Sequence, residues 1–389
     1  MFAAYFMFGI VLNVVGVMIP VLIKQYNLSL FVGGLLAFAL YIPFGACSIP
    51  AGIVADRFGP KPVVLFGVLL MAIGCGAIAL TKSFMPIILW AVAIGSGIAI
   101  LETAGNSLIE RLDRRENYHR NLTLTIGFCG IGAFTGPFVL FTLQAHGQPW
   151  QRLYAGYGVL CVVLLILLAI SGFPERKMVV TEKLRLREII KVLSHPIAVT
   201  YSLAVFFYVG AEVGTASWIV KFFQQVHGLG AEGLGGISQN VFLRYLPALP
   251  VLVVSLFWGL QAIGRLTSAL GIEKFGARFM LRLYSLGALC SLLLAIFGST
   301  NLSAIGFAIC GFFTSILITL LFSGAINTFP KYQGTLSGLL VTASIGGGII
   351  PLLVGLSADH FGLQFAMIIP LLCFLYVFVI SIIGRATYE

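Results

Sequence analysis

The sequence predicts an all-α membrane protein of twelve transmembrane helices arranged as two six-helix halves. Three observations carry that expectation: too little charge for a water-facing surface, apolar runs of membrane-crossing length along the whole chain, and a loop signature that returns six helices later. Of 389 residues, 59% are hydrophobic and 9% are charged, against roughly a quarter charged in an ordinary soluble domain. Lipid is therefore the expected solvent for most of the surface.

A helix of about 20 apolar residues crosses roughly 30 Å of hydrocarbon. Such runs lie near 3–23, 31–55, 62–81, 84–109, 122–144 and 152–172, then near 196–224, 246–271, 277–299, 301–327, 333–357 and 363–384. The first run carries no charged leader and no cleavage signature, so it reads as a retained span rather than a removed signal. Between the sets, Phe173 to His195 alternates charged and apolar residues in the manner of a short helix lying on the membrane surface. The expected units are an N-terminal half over 1–172, a linker over 173–195 and a C-terminal half over 196–389. Residues 228–249, Gly-rich and then bearing Arg244 and Pro247, read as an outer loop running into the eighth span.

An even number of spans puts both termini on one side, and the basic residues say which. With these spans, eighteen of the 23 Lys and Arg fall on the side of the termini and the central linker, which the positive-inside rule assigns to the cytoplasm. Arg265 is counted there, as part of the charged end of the eighth span. The formal charge of +10 is accordingly topological, and no nucleic-acid partner is expected. All seven cysteines lie in apolar stretches without ligand spacing and read as buried, unpaired thiols. The five histidines lie near loops, so no metal is expected, and no phosphate-binding Gly-x-x-x-x-Gly-Lys-Ser/Thr loop is present. No nucleophile with an adjacent base is visible, so an enzyme is not expected and no cofactor is implied.

After the second span comes Gly52-Ile-Val-Ala-Asp56-Arg57-Phe-Gly59-Pro-Lys61, and after the eighth comes Ala269-Leu-Gly-Ile-Glu273-Lys274-Phe-Gly276-Ala-Arg278. An acid, a base, Phe, Gly and a second base recur in register. Gly52 lets two helices approach, Asp56 can accept bonds at a neighbouring helix N-terminus, and the bases can pair acids across the bundle. Gly52, Asp56, Arg57, Lys61, Glu273, Lys274 and Arg278 are therefore the candidate conformational latch.

In these segments the chain resembles the major facilitator superfamily, whose layout of two six-helix halves it matches throughout. Narrower likeness lies in Leu101-Glu102-Thr103-Ala104-Gly-Asn106, in Tyr208-Val-Gly210-Ala-Glu212 followed by Trp218, in Trp258-Gly259 with Gly264-Arg265, and in Gly355-Leu-Ser-Ala-Asp359-His-Phe-Gly362. These resemble the fucose, galactose and glucose proton symporters within the superfamily. The resemblance implies a monomeric carrier in the cytoplasmic membrane that moves a small polar solute such as a hexose, with a proton as coupling ion, by alternating access. The chain departs from that family at Asn13-Val14, where an Asn-Asp pair is usual, and at Leu124 and Gly127, which replace a Gln and an Asn.

An ionisable group in mid-bilayer costs several kcal/mol unless neutralised, paired or hydrated, which makes each one a functional candidate. Glu102, with Asn106 one turn later, is the candidate proton carrier; the competing reading is a structural acid bonded to a neighbouring helix. Glu212 lies one turn after Tyr208 and reads equally as a cavity-lining contact or a structural pair. Trp258, Gln261 and Arg265 fall at i, i+3 and i+7 on one polar face of the eighth span, and an aromatic beside an amide suits the C–H patches and hydroxyls of a sugar. The competing reading has Trp258 filling the bundle and Arg265 serving the cytoplasmic latch, which for Arg265 is the stronger of the two. Asn13, Asn106, Tyr208, Glu212, Trp258 and Gln261 are thus the candidate substrate residues, while Trp218 reads as an interfacial anchor or a substrate platform. Gly132-Ala-Phe-Thr-Gly136-Pro137 is similar to a Gly-Pro pattern of exporters in the superfamily, so a multispecific exporter of lipophilic compounds is the alternative.

Overall fold

The computed structural model describes residues 1–112, 115–172, 195–229, 249–328 and 333–384. Every element among them is a helix: α1 (Phe2–Tyr26), α2 (Leu30–Phe58), α3 (Pro60–Leu80), α4 (Phe84–Leu112), α5 (Arg115–Ala145) and α6 (Gln151–Ile170). The second half comprises α7 (Pro196–Val226), α8 (Leu249–Phe275), α9 (Ala277–Phe297), α10 (Thr300–Thr328), α11 (Gln333–Ala343 and Gly346–Phe361) and α12 (Leu363–Ile383). Among the described residues, twelve helices are long and apolar enough to cross a membrane. The expected surface helix of the linker, save His195, and the loop over 230–248 lie outside the described residues.

Hydropathy marks where hydrocarbon ends, whereas hydrogen bonding marks where a helix ends. That is why α5 begins at Arg115, seven residues before its expected span at 122, and α11 runs to Phe361 rather than 357. Three helices stop at glycines in one conformation: Gly59 (φ 86°, ψ 156°), Gly276 (φ 81°, ψ 151°) and Gly362 (φ 81°, ψ 158°). L side chains rarely adopt that geometry, and it lets the next helix start at once.

Each half ties its own ends together. Lys61 Nζ donates to the carbonyls of Ala169 and Ser171 at 3.0 and 2.7 Å, covering carbonyls at the C-terminus of α6. In the other half Arg282 Nε of α9 donates to Ser381 O of α12 at 3.1 Å, the same solution one half later.

Across the halves, α2 lies along α11, α5 along α8, and α1 along α7. Small residues let the backbones touch. A Cβ built on Gly16 would lie 2.4 Å from the Ala216 carbonyl oxygen, and one on Gly355 would lie 2.6 Å from that of Leu30. One on Gly348 would lie 3.0 Å from Phe38 Cα, and one on Gly130 2.5 Å from Ala262 Cβ. The Gly355 contact, at the first residue of α2, closes the end of the bundle opposite the start of α1, the distal end, and the Gly16 and Gly348 contacts lie between it and the middle of the helices.

The cysteine expectation needs correction. All seven are free, but Cys290 is exposed and Cys47 and Cys129 are half-buried, because only one face of a transmembrane helix packs on protein.

Candidate functional site at the seam between the halves

The polar centre forms where α7, α8 and α10 meet. Tyr208 and Glu212 stand one turn apart on α7, and the phenol lies 2.7 Å from Glu212 Oε1. Gln261 of α8 donates from Nε2 to that same oxygen. All three side chains are buried.

The third helix contributes backbone. Between Thr314 and Leu317 the α-helical pattern of α10 lapses at Ser315 and Ile316. In a membrane interior such carbonyls must find donors within the protein. Tyr208 OH lies 2.8 Å from the Thr314 carbonyl, and Arg265 Nε donates to the Ser315 carbonyl at 3.2 Å. Gly264 makes room for the lapse: a Cβ there would sit 2.5 Å from Ser315 Oγ.

Arg265 corrects its expected place at the charged cytoplasmic end. α8 continues to Phe275, ten residues or roughly 15 Å beyond it, and the guanidinium interacts electrostatically with Glu212 of its own half and Glu102 of the other. Tyr41 of α2 and Cys129 of α5 interact with both acids. Tyr208, Glu212 and Gln261 are in contact at this centre, and Glu102, Arg265, Tyr41 and Cys129 lie within electrostatic reach of it, so that five helices contribute.

Other candidates lie elsewhere or do other work. Asn13 turns back on its own helix, Nδ2 donating to Gly9 O at 3.0 Å. Trp258 is buried against Phe257, and its indole N–H has no hydrogen-bond partner among the described residues. Trp218 is fully buried and donates to the Pro351 carbonyl at 3.0 Å, so it locks α7 to α11 and is not an interfacial anchor. The side chains of Asn106, Asp56 and Glu273 lie outside the described residues. Arg57 and Lys274 are exposed, each over the ring of the next residue, Phe58 and Phe275, at 5.2 and 5.3 Å. Gly52 faces Thr103 of α4, and Arg278 lies in the first turn of α9.

Residues 1–344 match the family model described as the Major Facilitator Superfamily. The chain belongs to that superfamily. A glucose/galactose transporter of Brucella abortus is 25% identical over 396 residues, covering 98% of this chain and 92% of the relative. The L-fucose-proton symporter of Escherichia coli is 24% identical over 410 residues, covering 97% and 90%. Among solved structures, the superfamily transporter FucP in its outward conformation superposes with a TM-score of 0.69 at 20% identity, covering 99% of this chain and 98% of that one. A bacterial homologue of the human lysosomal transporter Spinster, inward-facing and occupied, gives 0.75 at 16%, covering 99% and 95%. This superfamily member is an integral membrane protein with transporters, not enzymes, as its relatives.

One contact between the halves of this facilitator has a sequence signal at Asp359 that the candidate residues above leave out. Gly355-x-x-Ala-Asp359-His-Phe-Gly362 repeats the spacing of Gly52-x-x-Ala-Asp56-Arg-Phe-Gly59, at the far end of another helix. Asp359 Oδ1 and Oδ2 accept from the backbone N–H groups of Leu30 and Phe31 at 2.8 and 2.9 Å, so the end of α11 caps the start of α2 in the other half. A carboxylate at an exposed helix N-terminus is worth about 1 kcal/mol. Asp359→Ala should therefore shift the balance toward a distally open state about 5-fold, read as distances between spin labels on the distal ends of α2 and α11. An unchanged distance distribution would mean that the cap holds nothing closed.

Proposed function

We propose that this superfamily member is a proton-coupled transporter of a hexose or similar small sugar, acting as a monomer by alternating access. The observation that supports the reading is Glu102, an acid inside the membrane-spanning part of α4 and within electrostatic reach of Arg265 of α8 across the seam. An acid between two rocking halves meets its counter-charge only when the seam is arranged to bring them together, so taking up a proton changes the relative stability of the states. Glu102 is the proton carrier in this reading. The halves are 1–172 and 196–389, joined by 173–195, and both termini face the cytoplasm.

Sugar as the substrate rests on two supports. The relatives named above are a glucose/galactose transporter and a fucose-proton symporter. The buried polar groups are of the right kind: Trp258 Nε1 and Ser315 Oγ lack hydrogen-bond partners among the described residues, and a buried group in that condition costs about 1–3 kcal/mol until something bonds to it. A hydroxylated ring supplies such partners, and Trp258 with Gln261, Tyr208 and Glu212 forms the binding surface. Asp56, Arg57, Lys61 and Glu273, Lys274, Arg278 act at the cytoplasmic end as the latch of the opposite state.

Purified protein in proteoliposomes should accumulate D-glucose, D-galactose or L-fucose under an imposed inward proton gradient. Glu102→Gln should lose that accumulation and keep sugar exchange. Accumulation unchanged in the variant removes Glu102 from coupling, and failure to carry all three sugars removes the substrate assignment. Lipophilic cations displacing a bound probe would favour export instead. The Gly-Pro pattern itself has a packing explanation, since Cβ atoms on Gly132 and Gly136 would lie 2.2 and 3.1 Å from carbonyl oxygens of α1.

A further inference from the structure

The centre holds two acids and one cation, and its hydrogen bonds leave one proton short. Glu102 and Glu212 both interact with Arg265, which among the described residues is the cation at their side of the seam. Two carboxylates beside one guanidinium would leave a net negative charge among apolar helices, whereas one proton on either acid makes the trio neutral.

The hydrogen bonds indicate where that proton sits in this arrangement. Tyr208 has one phenolic hydrogen and two acceptors in reach, Thr314 O at 2.8 Å and Glu212 Oε1 at 2.7 Å. The Thr314 carbonyl belongs to the lapse in α10 and needs a donor. If the phenol donates there, its short contact with Glu212 requires the hydrogen to come from the other partner, so the acid donates to the phenol oxygen. Gln261 approaches the same carboxyl as donor, and a protonated carboxyl retains acceptor sites for it.

We propose that Glu212 is a resident proton site, that Arg265 is the counter-ion it thereby leaves to Glu102, and that the two acids share one cation so that only Glu102 is free to change its charge. The inference rests on the coupling reading for Glu102 and adds two residues to it. Arg265 and Glu212 act here as positioning residues. Among the described residues, the other ionisable groups facing the trio are Tyr41 of α2, Cys129 of α5, Tyr208 of α7 and Cys310 of α10.

The test needs no substrate, so it stands apart from the transport assays. Infrared spectra of the purified protein at neutral pH read the carbonyl stretch of buried protonated carboxyl groups directly. Wild type should show that band; Glu212→Gln should remove it, and Glu102→Gln should leave it. Arg265→Gln should about double it, because both acids must then be neutral. Arg265→Lys, which keeps the charge and changes the geometry, should restore the wild-type intensity if the role is electrostatic. A band that survives Glu212→Gln overturns the proton assignment, and a band unchanged in Arg265→Gln overturns the shared counter-ion. Loss of sugar accumulation in Glu102→Gln with an unchanged infrared pattern across the other variants would leave the coupling reading intact and sink this one alone.

Discussion

Gly16→Val should abolish turnover while leaving the protein folded. α1 and α7 cross at this glycine, where a Cβ would lie 2.4 Å from the Ala216 carbonyl oxygen and 3.2 Å from its carbon. Backbone cannot move aside as a side chain tip can, so the two halves cannot regain the distal contact seen here. With the halves parted at that end the same valine meets open space, and the fold inside each half is undisturbed. Arrest in a distally open state is the expected outcome, with net uptake and exchange both lost and sugar binding retained. Gly16→Ala should give the same effect in weaker form, since its single methyl already meets the carbonyl. Wild-type turnover by the valine variant would show that distal closure does not bring helices 1 and 7 into contact.

Gly311→Val should instead damage the fold itself. This residue lies in α10 one turn before the lapse, and a Cβ there would sit 2.0 Å from Phe257 O and 2.6 Å from Phe257 C in α8. Both helices belong to the C-terminal half, so no rocking motion relieves the overlap. Overpacking of this kind costs about 1–3 kcal/mol even where side chains can adjust, and the upper end or more is expected against backbone. The measurable result is a lowered thermal midpoint in detergent, together with loss of exchange, because Tyr208 and Arg265 depend on α10 carbonyls held at this spacing. Gly76→Ala supplies the contrast: a Cβ at Gly76 has nothing within 4 Å, and its stability should match or exceed wild type. Equal thermal midpoints for Gly311→Val and Gly76→Ala would contradict the packing argument.

Much of the site was legible because acids in apolar runs are conspicuous. Glu102 and Glu212 could be singled out from one sequence, and so could Tyr208 one turn before Glu212 and Gln261 on a separate span. Arg265 was legible on one face with Trp258 and Gln261, but the cytoplasmic latch was the stronger reading for it. Counting bases by their distance from the edge of a hydrophobic run sorted it with the cytoplasmic charges, whereas α8 continues well past it. The carbonyls at the lapse in α10 left no mark in the sequence, since Ser315 and Ile316 are ordinary residues inside a membrane helix. Asp359 had a mark, the second copy of the Gly-x-x-Ala-Asp-x-Phe-Gly pattern, but its partner was hidden. The acceptors and donors are 329 residues apart in the chain, and pairing between the end of α11 and the start of α2 depends on how the two halves lean together.

By itself the sequence determined that this protein lives in lipid, that its chain crosses twelve times, and that the crossings fall into two related halves. Those properties follow from local physics: charge density, the length of apolar runs and the glycines that end helices act within a few dozen residues of one another. Only the tertiary structure decided that one guanidinium serves two acids, that a phenol stands between a carboxyl and a backbone carbonyl, and that an aspartate caps a helix of the opposite half. Each of those depends on directional contacts of a few ångströms between distant segments, and such contacts exist only once the helices have packed.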